Sequence, residues 1–411
     1  MRSPIFWYSR AFILCGVWIV VMSSFHHASG KECIYISSSK FSFNIKEALQ
    51  VFEPLIDTLE YRDIIEQDFE ATAQTQYLTK QGIHWAKISL SSETNRKLIF
   101  DFRRIDFVDV FYTEEGVDKS IKTGYLTPNA QKQLGKWNVV SIDIKKDLNY
   151  DLYFKLRNEA HLTDFNIRVW DDVMWYQQTV RNLIKDIGFL AIILIFTIYN
   201  LFVFLFSHQR GYLYLGLYLF TVFVFFVFAS GILRDYVVTE YPYYTLLCIA
   251  SILITPIFYY EFMAEFLNTA TLIPKWNDVL KLVKQGDLLI FVMTLGVFFG
   301  LGNFQLMSKI TQYTLMINIA IGFVAIFLLF INRNELVMYF ILGTLVMICG
   351  STYDVIFWDS RGTWGDVSRI GFVSEIIFFS LGLGKKIQRG EQDRLDVQAS
   401  YIDQLLSLIH I

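Results

Sequence analysis

The C-terminal half of the chain contains seven long apolar runs separated by short polar stretches. Each run approaches the ~20 residues that an α-helix needs to cross the hydrocarbon core of a bilayer. The pattern therefore predicts a seven-helix transmembrane domain over residues 187–384. We place its spans at about 187–206, 212–233, 243–263, 288–304, 310–331, 336–357 and 370–384.

The preceding region, residues 31–175, shows short runs in which apolar and polar residues alternate. In the stretch 97–102, Leu98, Phe100 and Phe102 fall on one face of an extended strand. Polar turn clusters divide such runs, and this favours an all-β, two-sheet antiparallel sandwich. The other alternating sets are Trp85, Ile88 and Leu90; Val140, Ile142 and Ile144; Leu152, Phe154 and Leu156; and Phe165, Ile167 and Val169.

The N-terminus is typical of an export signal. Arg2 and Arg10 precede an apolar stretch, and small residues around Ala28 follow it. We predict a signal peptide over residues 1–30. The alternative is an uncleaved membrane anchor, because residues 6–8 extend the apolar zone toward spanning length. Both alternatives place residue 31 outside the cytoplasm.

The distribution of basic residues supports the same orientation. With the sandwich outside, nine Lys and Arg residues fall in cytoplasmic segments and four in external loops, as the positive-inside rule requires. We therefore predict a periplasmic N-terminal domain and a cytoplasmic C-terminus, with a linker helix over residues 385–405. The cytoplasmic residues are Arg210, Lys275, Lys281, Lys284, Arg333, Lys385, Lys386, Arg389 and Arg394, and the external ones are Arg234, Lys309, Arg361 and Arg369.

Composition narrows the classes of function. Hydrophobic residues make up 54% of the chain and charged residues only 18%, which indicates a membrane protein that is embedded in the lipid bilayer. Its net charge of −3, with dispersed basic residues, gives no indication of nucleic-acid binding. The six histidines are scattered, and no phosphate-binding loop or nucleophile motif is present. We predict no cofactor, no metal site and no catalytic residues, so that the chain itself is not an enzyme.

Several short motifs occur in a distinctive order along the chain. They include 198–200 and 212–218 in the first membrane hairpin and 371–375 with 379–386 in the last span. With the order of signal, sandwich, seven spans and cytoplasmic helix, these resemble the bacterial seven-transmembrane receptors with diverse intracellular signalling modules. The sandwich motifs 82–85, 105–112 and 123–125 are similar to the larger of that family's external domains, a jelly-roll fold related to carbohydrate-binding modules.

The resemblance covers about residues 34–390 and implies a function. A receptor of this kind binds an external ligand and signals inward through a histidine kinase, a cyclic-nucleotide-forming domain or another output module. It implies a location in the bacterial inner membrane and a ligand that is carbohydrate-like. We also expect a homodimer, in which paired cytoplasmic helices pass a movement to the output module. The alternative function is a secondary transporter with an external capture domain, although no inverted repeat supports it.

The end of the sequence carries a further expectation. Residues 406–411 match one reading frame of a common transposon-based sequencing adaptor. We expect these six residues to be non-native and the natural protein to continue into an output domain.

Carboxylates inside a bilayer are costly, and each one is therefore a candidate functional group. Glu261 and Glu265 lie one turn apart, where they are expected to pair with Lys281 or Arg333; the alternative is that both simply reach the headgroup region. Asp354 lies near the outer end of the sixth span. Glu375 lies within the seventh span, where we expect a hydrogen-bonded network with Asn200 that is either structural or a switch.

Candidate ligand-binding residues lie where predicted strands end in loops. Trp137, Arg157, Asn158 and His161 combine aromatic rings with polar groups, which suits a sugar. The alternative is that they are ordinary core or surface residues. Trp85 is assigned to the core instead.

Overall fold

The computed structural model describes residues 34–36, 42–45, 49–52, 60–67, 69–71, 82–103, 105–159, 167–331, 335–356 and 366–409. An N-terminal β domain is followed by seven long apolar helices, as the hydropathy pattern predicts. The predicted signal peptide, His161 and residues 410–411 lie outside the described residues.

The β domain is built from two facing sheets. In the described residues, the larger sheet has seven strands in the order β4-β3-β5-β10-β7-β8, with β1 added in parallel to β5, and the smaller has the order β2-β11-β6-β9. The strands are β1 Ile34–Ile36, β2 Ser42–Asn44, β3 Gln50–Phe52, β4 Glu70–Ala71, β5 Gly82–Ser92, β6 Arg96–Asp101, β7 Phe107–Glu114, β8 Val117–Thr123, β9 Val139–Ile144, β10 Asn149–Asn158 and β11 Arg168–Asp171.

The core between the sheets contains the alternating residues that the sequence predicts. Leu98 and Phe100 of β6 face Leu152 and Phe154 of β10, and all four are at most 1% exposed. This burial of alternate side chains from both sheets is what stabilises a sandwich.

Trp85 lies on the other side of the larger sheet from Ile88 and Leu90, so its assignment to their face was wrong. Its ring packs with Tyr153 and with Ile64 of a short helix, α1 (Tyr61–Ile64). Strand alternation alone places residues 85 and 88 on opposite faces, and Trp85 is buried because α1 covers the outer face.

Seven of the helices are long and apolar enough to cross a membrane. The helices of the second half are α2 Asp172–Ser207, α3 Arg210–Ala229, α4 Leu247–Leu267, α5 Thr269–Leu272, α6 Pro274–Gly296, α7 Phe304–Ile331, α8 Glu335–Ile356 and α9 Asp366–Ile409. All except α5 are spans. The fourth span differs most from the prediction, because α6 begins at Pro274 and includes charged residues that we assigned to a loop.

Helices α2 and α9 are much longer than a bilayer requires. At ~1.5 Å per residue the 36 residues of α2 extend about 54 Å and the 44 residues of α9 about 66 Å. Arg369 near the start of α9 binds Asp186 of α2. This ion pair marks the end of the bundle nearest the sandwich, which we call the sandwich side; the opposite end is the far side.

Helices α8 and α9 pack closely through glycine. A Cβ atom on Gly371 would lie 3.1 Å from Cα of Met347, and one on Gly350 would lie 2.8 Å from the carbonyl oxygen of Val367. Small residues of this kind let helix backbones approach within a membrane. The contact fixes the sandwich-side part of α9 against α8.

Candidate functional site

The loop between β8 and β9, residues 124–138, joins the sandwich to the bundle. Its Asn129 N–H donates to the carbonyl oxygen of Thr239 at 3.0 Å, and the Asn129 side-chain amide donates to the carbonyl oxygen of Asp235 at 3.3 Å. Both acceptors lie in the segment between α3 and α4. The sandwich is therefore held to the segment between α3 and α4 by one backbone and one side-chain hydrogen bond, as well as to the bundle by the covalent link into α2.

A buried ion pair lies at this junction. Arg234 and Asp235 are each 8% exposed and bind one another through Nε and Oδ1. The Arg234 guanidinium also lies over the ring of Tyr125, with its carbon 4.3 Å from the ring centroid. Gly231, at φ +77°, leaves room for the guanidinium, since a Cβ atom there would lie 3.2 Å from Nη2 of Arg234. Arg234, which follows α3, thus contacts the sandwich loop through this cation–π interaction, while its ion pair with Asp235 lies within its own segment.

Lys132 on the same loop is only 6% exposed. Its Nζ atom donates to Oδ1 of Asn129 at 3.2 Å. Burial, reinforced by the nearby positive charge of Arg234, lowers the pKa of Lys132 to about 7. The junction therefore contains an amine that changes charge near neutral pH.

Apolar side chains complete the junction. Tyr125 and Leu126 of the loop form one cluster with Phe228 at the end of α3, Leu246 before α4, and Met307 at the start of α7. The segment just after α6 contributes to the same cluster, so the loop packs with the ends of four spans, and a displacement of the loop would act on all four.

Inside the bundle, Glu375 of α9 is fully buried. The Tyr218 hydroxyl of α3 donates to its Oε2 at 2.7 Å, while Oε1 has no hydrogen-bond partner within the described part of the chain. The Tyr218 ring lies 5.4 Å from that of Tyr259 on α4, whose hydroxyl hydrogen-bonds Oγ1 of Thr344 on α8. Glu375 therefore belongs to a polar network that joins four helices.

Asn200 lies elsewhere and takes no part in this network. It is 1% exposed, but its side-chain amide donates to the carbonyl oxygen of Phe196 on its own helix. The expected contact between Asn200 and Glu375 was wrong. The Tyr218 hydroxyl of α3 binds the Glu375 carboxylate instead.

A second buried carboxylate, Asp287 of α6, was not predicted. It is 3% exposed, and its Oδ1 accepts a hydrogen bond from the Asn318 side chain at 2.9 Å. The Tyr260 hydroxyl donates to the carbonyl oxygen of Asn318. Because Tyr259 and Tyr260 are neighbours on α4, the two carboxylate networks lie on either side of the same helical turn.

The remaining predicted carboxylates lie near the ends of the spans. Glu261 binds Lys284 of α6, and not Lys281, which pairs with Asp278; Arg333 lies outside the described residues. The Glu265 backbone carbonyl accepts from Lys386, so that the side chain of Glu265 is not the acceptor.

Asp354 accepts from the backbone N–H groups of Val367 and Ser368 at 3.3 and 2.6 Å. Asp354 therefore caps the first turn of α9 from the neighbouring helix, where the helix dipole favours a negative charge.

A sequence family described as 7TM diverse intracellular signalling matches residues 183–386, from α2 through the spans and into α9. The chain belongs to the 7TM diverse intracellular signalling family. This is a family of transmembrane sensory receptors, and the chain is accordingly a multi-pass membrane protein with an N-terminal β domain.

Other comparisons add less. No curated protein matches the chain. Among solved structures, one titled as TmCBM61 in complex with beta-1,4-galactotriose is similar at 9% identity, over 32% of this chain and 83% of that one, with a TM-score of 0.15. We draw no argument from this likeness.

The predicted ligand residues of this receptor occupy different surroundings. Trp137 packs edge-on against Trp175 of α2, with ring centroids 4.9 Å apart. Arg157 and Asn158 point to opposite faces of β10: Arg157 lies over the Phe107 ring, whereas Oδ1 of the buried Asn158 accepts from the Asp106 backbone N–H. Their role in ligand binding stays a prediction, as does that of His161.

The outer face of the larger sheet offers an aromatic surface that the sequence did not indicate. Tyr61 of α1 stacks on Phe111 of β7, with centroids 5.0 Å apart and planes at 11°. An open groove of about 250 Å³ borders this pair and is lined also by Arg62, Asp118 and Ser120. Arg157, Trp85 and Tyr153 face the same side of the sheet, because they alternate with the core residues.

Proposed function

We propose that this receptor binds a polar, carbohydrate-like ligand on the sandwich and transmits the binding event across the bacterial inner membrane to a cytoplasmic output module. The sandwich side faces the periplasm and the far side of α9 faces the cytoplasm, in agreement with the distribution of basic residues. One observation carries the proposal: the sandwich loop 124–138 shares one buried apolar cluster with the ends of four spans.

The ligand surface is the outer face of the larger sheet at the groove beside Tyr61 and Phe111. Stacked aromatic rings beside charged and hydroxyl groups are the combination that binds a sugar ring, whose faces are apolar and whose edges carry hydroxyls. Tyr61 and Phe111 supply the rings, and Arg62, Asp118 and Ser120 supply the polar groups.

The signal route leads from the junction to α9. Tyr125 and Arg234 connect the loop to α3, and Tyr218 on α3 donates to Glu375 on α9. Helix α9 then continues without a break from this hydrogen bond to Ile409. A rotation or shift of α3 would therefore reach the far end of α9, where a homodimer would present two such helices to the output module.

Ligand binding is tested on the whole chain in lipid nanodiscs. A thermal-shift screen against sugars and cell-wall fragments should yield a compound whose stabilising effect is lost in Tyr61→Ala and Arg62→Ala, both in the groove, and kept in Lys146→Ala, which changes an exposed residue outside the groove. A ligand whose binding survives both groove substitutions would contradict the proposed surface.

Transport is the competing function, and uptake distinguishes it. Sealed vesicles containing the receptor should bind the ligand without accumulating it. Uphill accumulation that is lost on Glu375→Gln would overturn the receptor function.

A further inference from the structure

The sandwich-side part of α2 projects beyond the membrane. Residues 187–206 already supply the ~20 apolar residues that cross a bilayer. The preceding segment, from Asp172 to the Asp186–Arg369 ion pair, contains the exposed residues Arg181 and Lys185. About four turns of α2 therefore stand in water between the sandwich and the bilayer.

This segment carries an exposed apolar stripe, which we call the α2 seam. It consists of Val173, Tyr176, Val180 and Ile184, which are 57%, 46%, 54% and 66% exposed. At about 100° per residue these positions fall within a sector of about 80°. Trp175 on the opposite side is 4% exposed and packs against the sandwich, so the seam faces away from its own chain.

The spacing of the seam points to another helix as its partner. Steps of three, four and four residues cover 11 residues in three turns, and this ~3.67-residue spacing suits a partner helix that packs with a slight right-handed supercoil. The same stripe continues along the span through Ile187, Ile198 and Phe202, each more than half exposed and turned away from the bundle. A partner that covers the whole stripe must itself cross the membrane, parallel to α2 and at the same height.

Charges beside the seam suit a second copy of α2. Arg181 lies on one flank, about 100° around the helix from the centre of the seam, and Asp172 lies on the other, about 80° from it. In a parallel pair of helices related by a two-fold axis, the basic flank of each helix faces the acidic flank of its partner. The two flanks of the seam are thus complementary in charge.

We propose that the α2 seam is the surface on which a second copy of this chain docks, outside the membrane and parallel to the first. This rests on the homodimer proposed above and names its surface. It joins the two protomers beside the junction that connects sandwich and bundle, so that the sandwiches and the spans share one two-fold axis.

Disulfide trapping in membranes tests the surface. In a variant without Cys15, Cys33, Cys248 and Cys349, single cysteines at the four seam positions should form dimers on mild oxidation, whereas cysteines at Met174, Arg181 and Lys185 should not. Equal trapping at seam and control positions, or trapping at the controls alone, would overturn the proposal.

A charge substitution tests it without crosslinking. Val180→Glu places two like charges against one another in the seam and should raise the dissociation constant of the dimer in nanodiscs at least about tenfold, as single-molecule photobleaching would show. Met174→Glu, the matched control, adds the same charge to an exposed apolar position off the seam and should leave the constant within about twofold. A wild-type dimer that is unaffected by Val180→Glu would refute the seam but leave the homodimer, whereas a wild-type monomer would refute both.

Discussion

The junction and the bundle both bury ionisable side chains, but with different kinds of partner. At the junction, Arg234 faces the opposite charge of Asp235. In the bundle, Glu375 and Asp287 face the neutral groups of Tyr218 and Asn318. Removing one member of an ion pair leaves a buried, uncompensated charge, whereas removing a hydroxyl costs one hydrogen bond. The junction should therefore respond to charge and pH, and the bundle to the geometry of its hydrogen bonds.

The largest effect is expected at the junction. Asp235→Ala leaves the buried Arg234 guanidinium without its counter-charge and should destabilise docking of the loop by about 3–5 kcal/mol. Hydrogen exchange should show faster exchange of the Asn129 amide, which is bound to Thr239. The double variant Arg234→Met/Asp235→Leu, which removes both charges, should recover most of the protection. Unchanged exchange in Asp235→Ala would show that the pair does not hold the loop.

The bundle should give a smaller effect with a different pattern. Tyr218→Phe leaves the fully buried Glu375 without its donor and should reduce the free energy of unfolding by about 1–3 kcal/mol. Tyr218→Phe combined with Glu375→Met should recover much of this loss, because both polar partners are then absent. Tyr199→Phe, at a position 54% exposed, is the control and should change stability by less than about 0.5 kcal/mol. Equal losses in all three variants would contradict the role of the hydrogen bond.

A pH dependence sharpens the comparison further. The pKa of Lys132 is about 7 in the docked state and 10.5 for a free lysine. Between pH 7 and 10.5 the Lys132 amine is therefore protonated when the loop is undocked and neutral when it is docked. Lowering the pH from about 10 to 7 should weaken docking by at most about 1.4 kcal/mol per pH unit, with no further change from this group below pH 7.

Spin labels at Gln131 and Glu240, both exposed, would report the docking distance across this range. Lys132→Met should remove the pH dependence and favour the docked distance throughout. A pH dependence that persists in Lys132→Met would assign it to another group.

The smallest effect is expected at the far side. Arg389 of α9 binds Glu335 of α8, and both side chains are more than two-fifths exposed. Solvent and salt screen such pairs, so Arg389→Ala should cost only about 0.2–1 kcal/mol in a thermal unfolding measurement. A loss as large as that of Asp235→Ala would remove the distinction between buried and exposed pairs on which the comparison rests.

The overall architecture could be predicted because a lipid environment and an aqueous one each impose a regular pattern of apolar residues on the sequence. Apolar runs indicate spans such as 187–206, and alternation identifies the core residues Leu98 and Phe100. Trp85 was assigned to the wrong face because its apolar ring was grouped with Ile88 against the strand alternation, whereas α1 forms a second apolar cover that buries it on the outer side of the sheet. Asp287 was missed because the charges near it obscured the start of α6, which placed the span's first residue at 288.

The residues of the candidate site were only partly predictable. Glu375 could be identified because a carboxylate within an apolar span needs a partner. Tyr218 could not be identified as that partner, since the pairing of residues 157 positions apart depends on how α3 and α9 pack. Arg234 was counted only as a loop charge, because nothing in its neighbourhood along the chain shows that the sandwich loop buries it.

The central claim is that the state of the junction is transmitted to the far end of α9. The most direct test measures the distance between spin labels at Lys275 on α6 and Gln398 on α9 in nanodiscs, in the wild type and in Asp235→Ala. We predict that Asp235→Ala shifts the mean distance by about 1–2 Å or more, which is the scale of helix movements in signalling proteins. Combining Asp235→Ala with Tyr218→Phe should abolish this shift. Identical distance distributions in the wild type and Asp235→Ala, with the loop shown to be undocked, would contradict the claim.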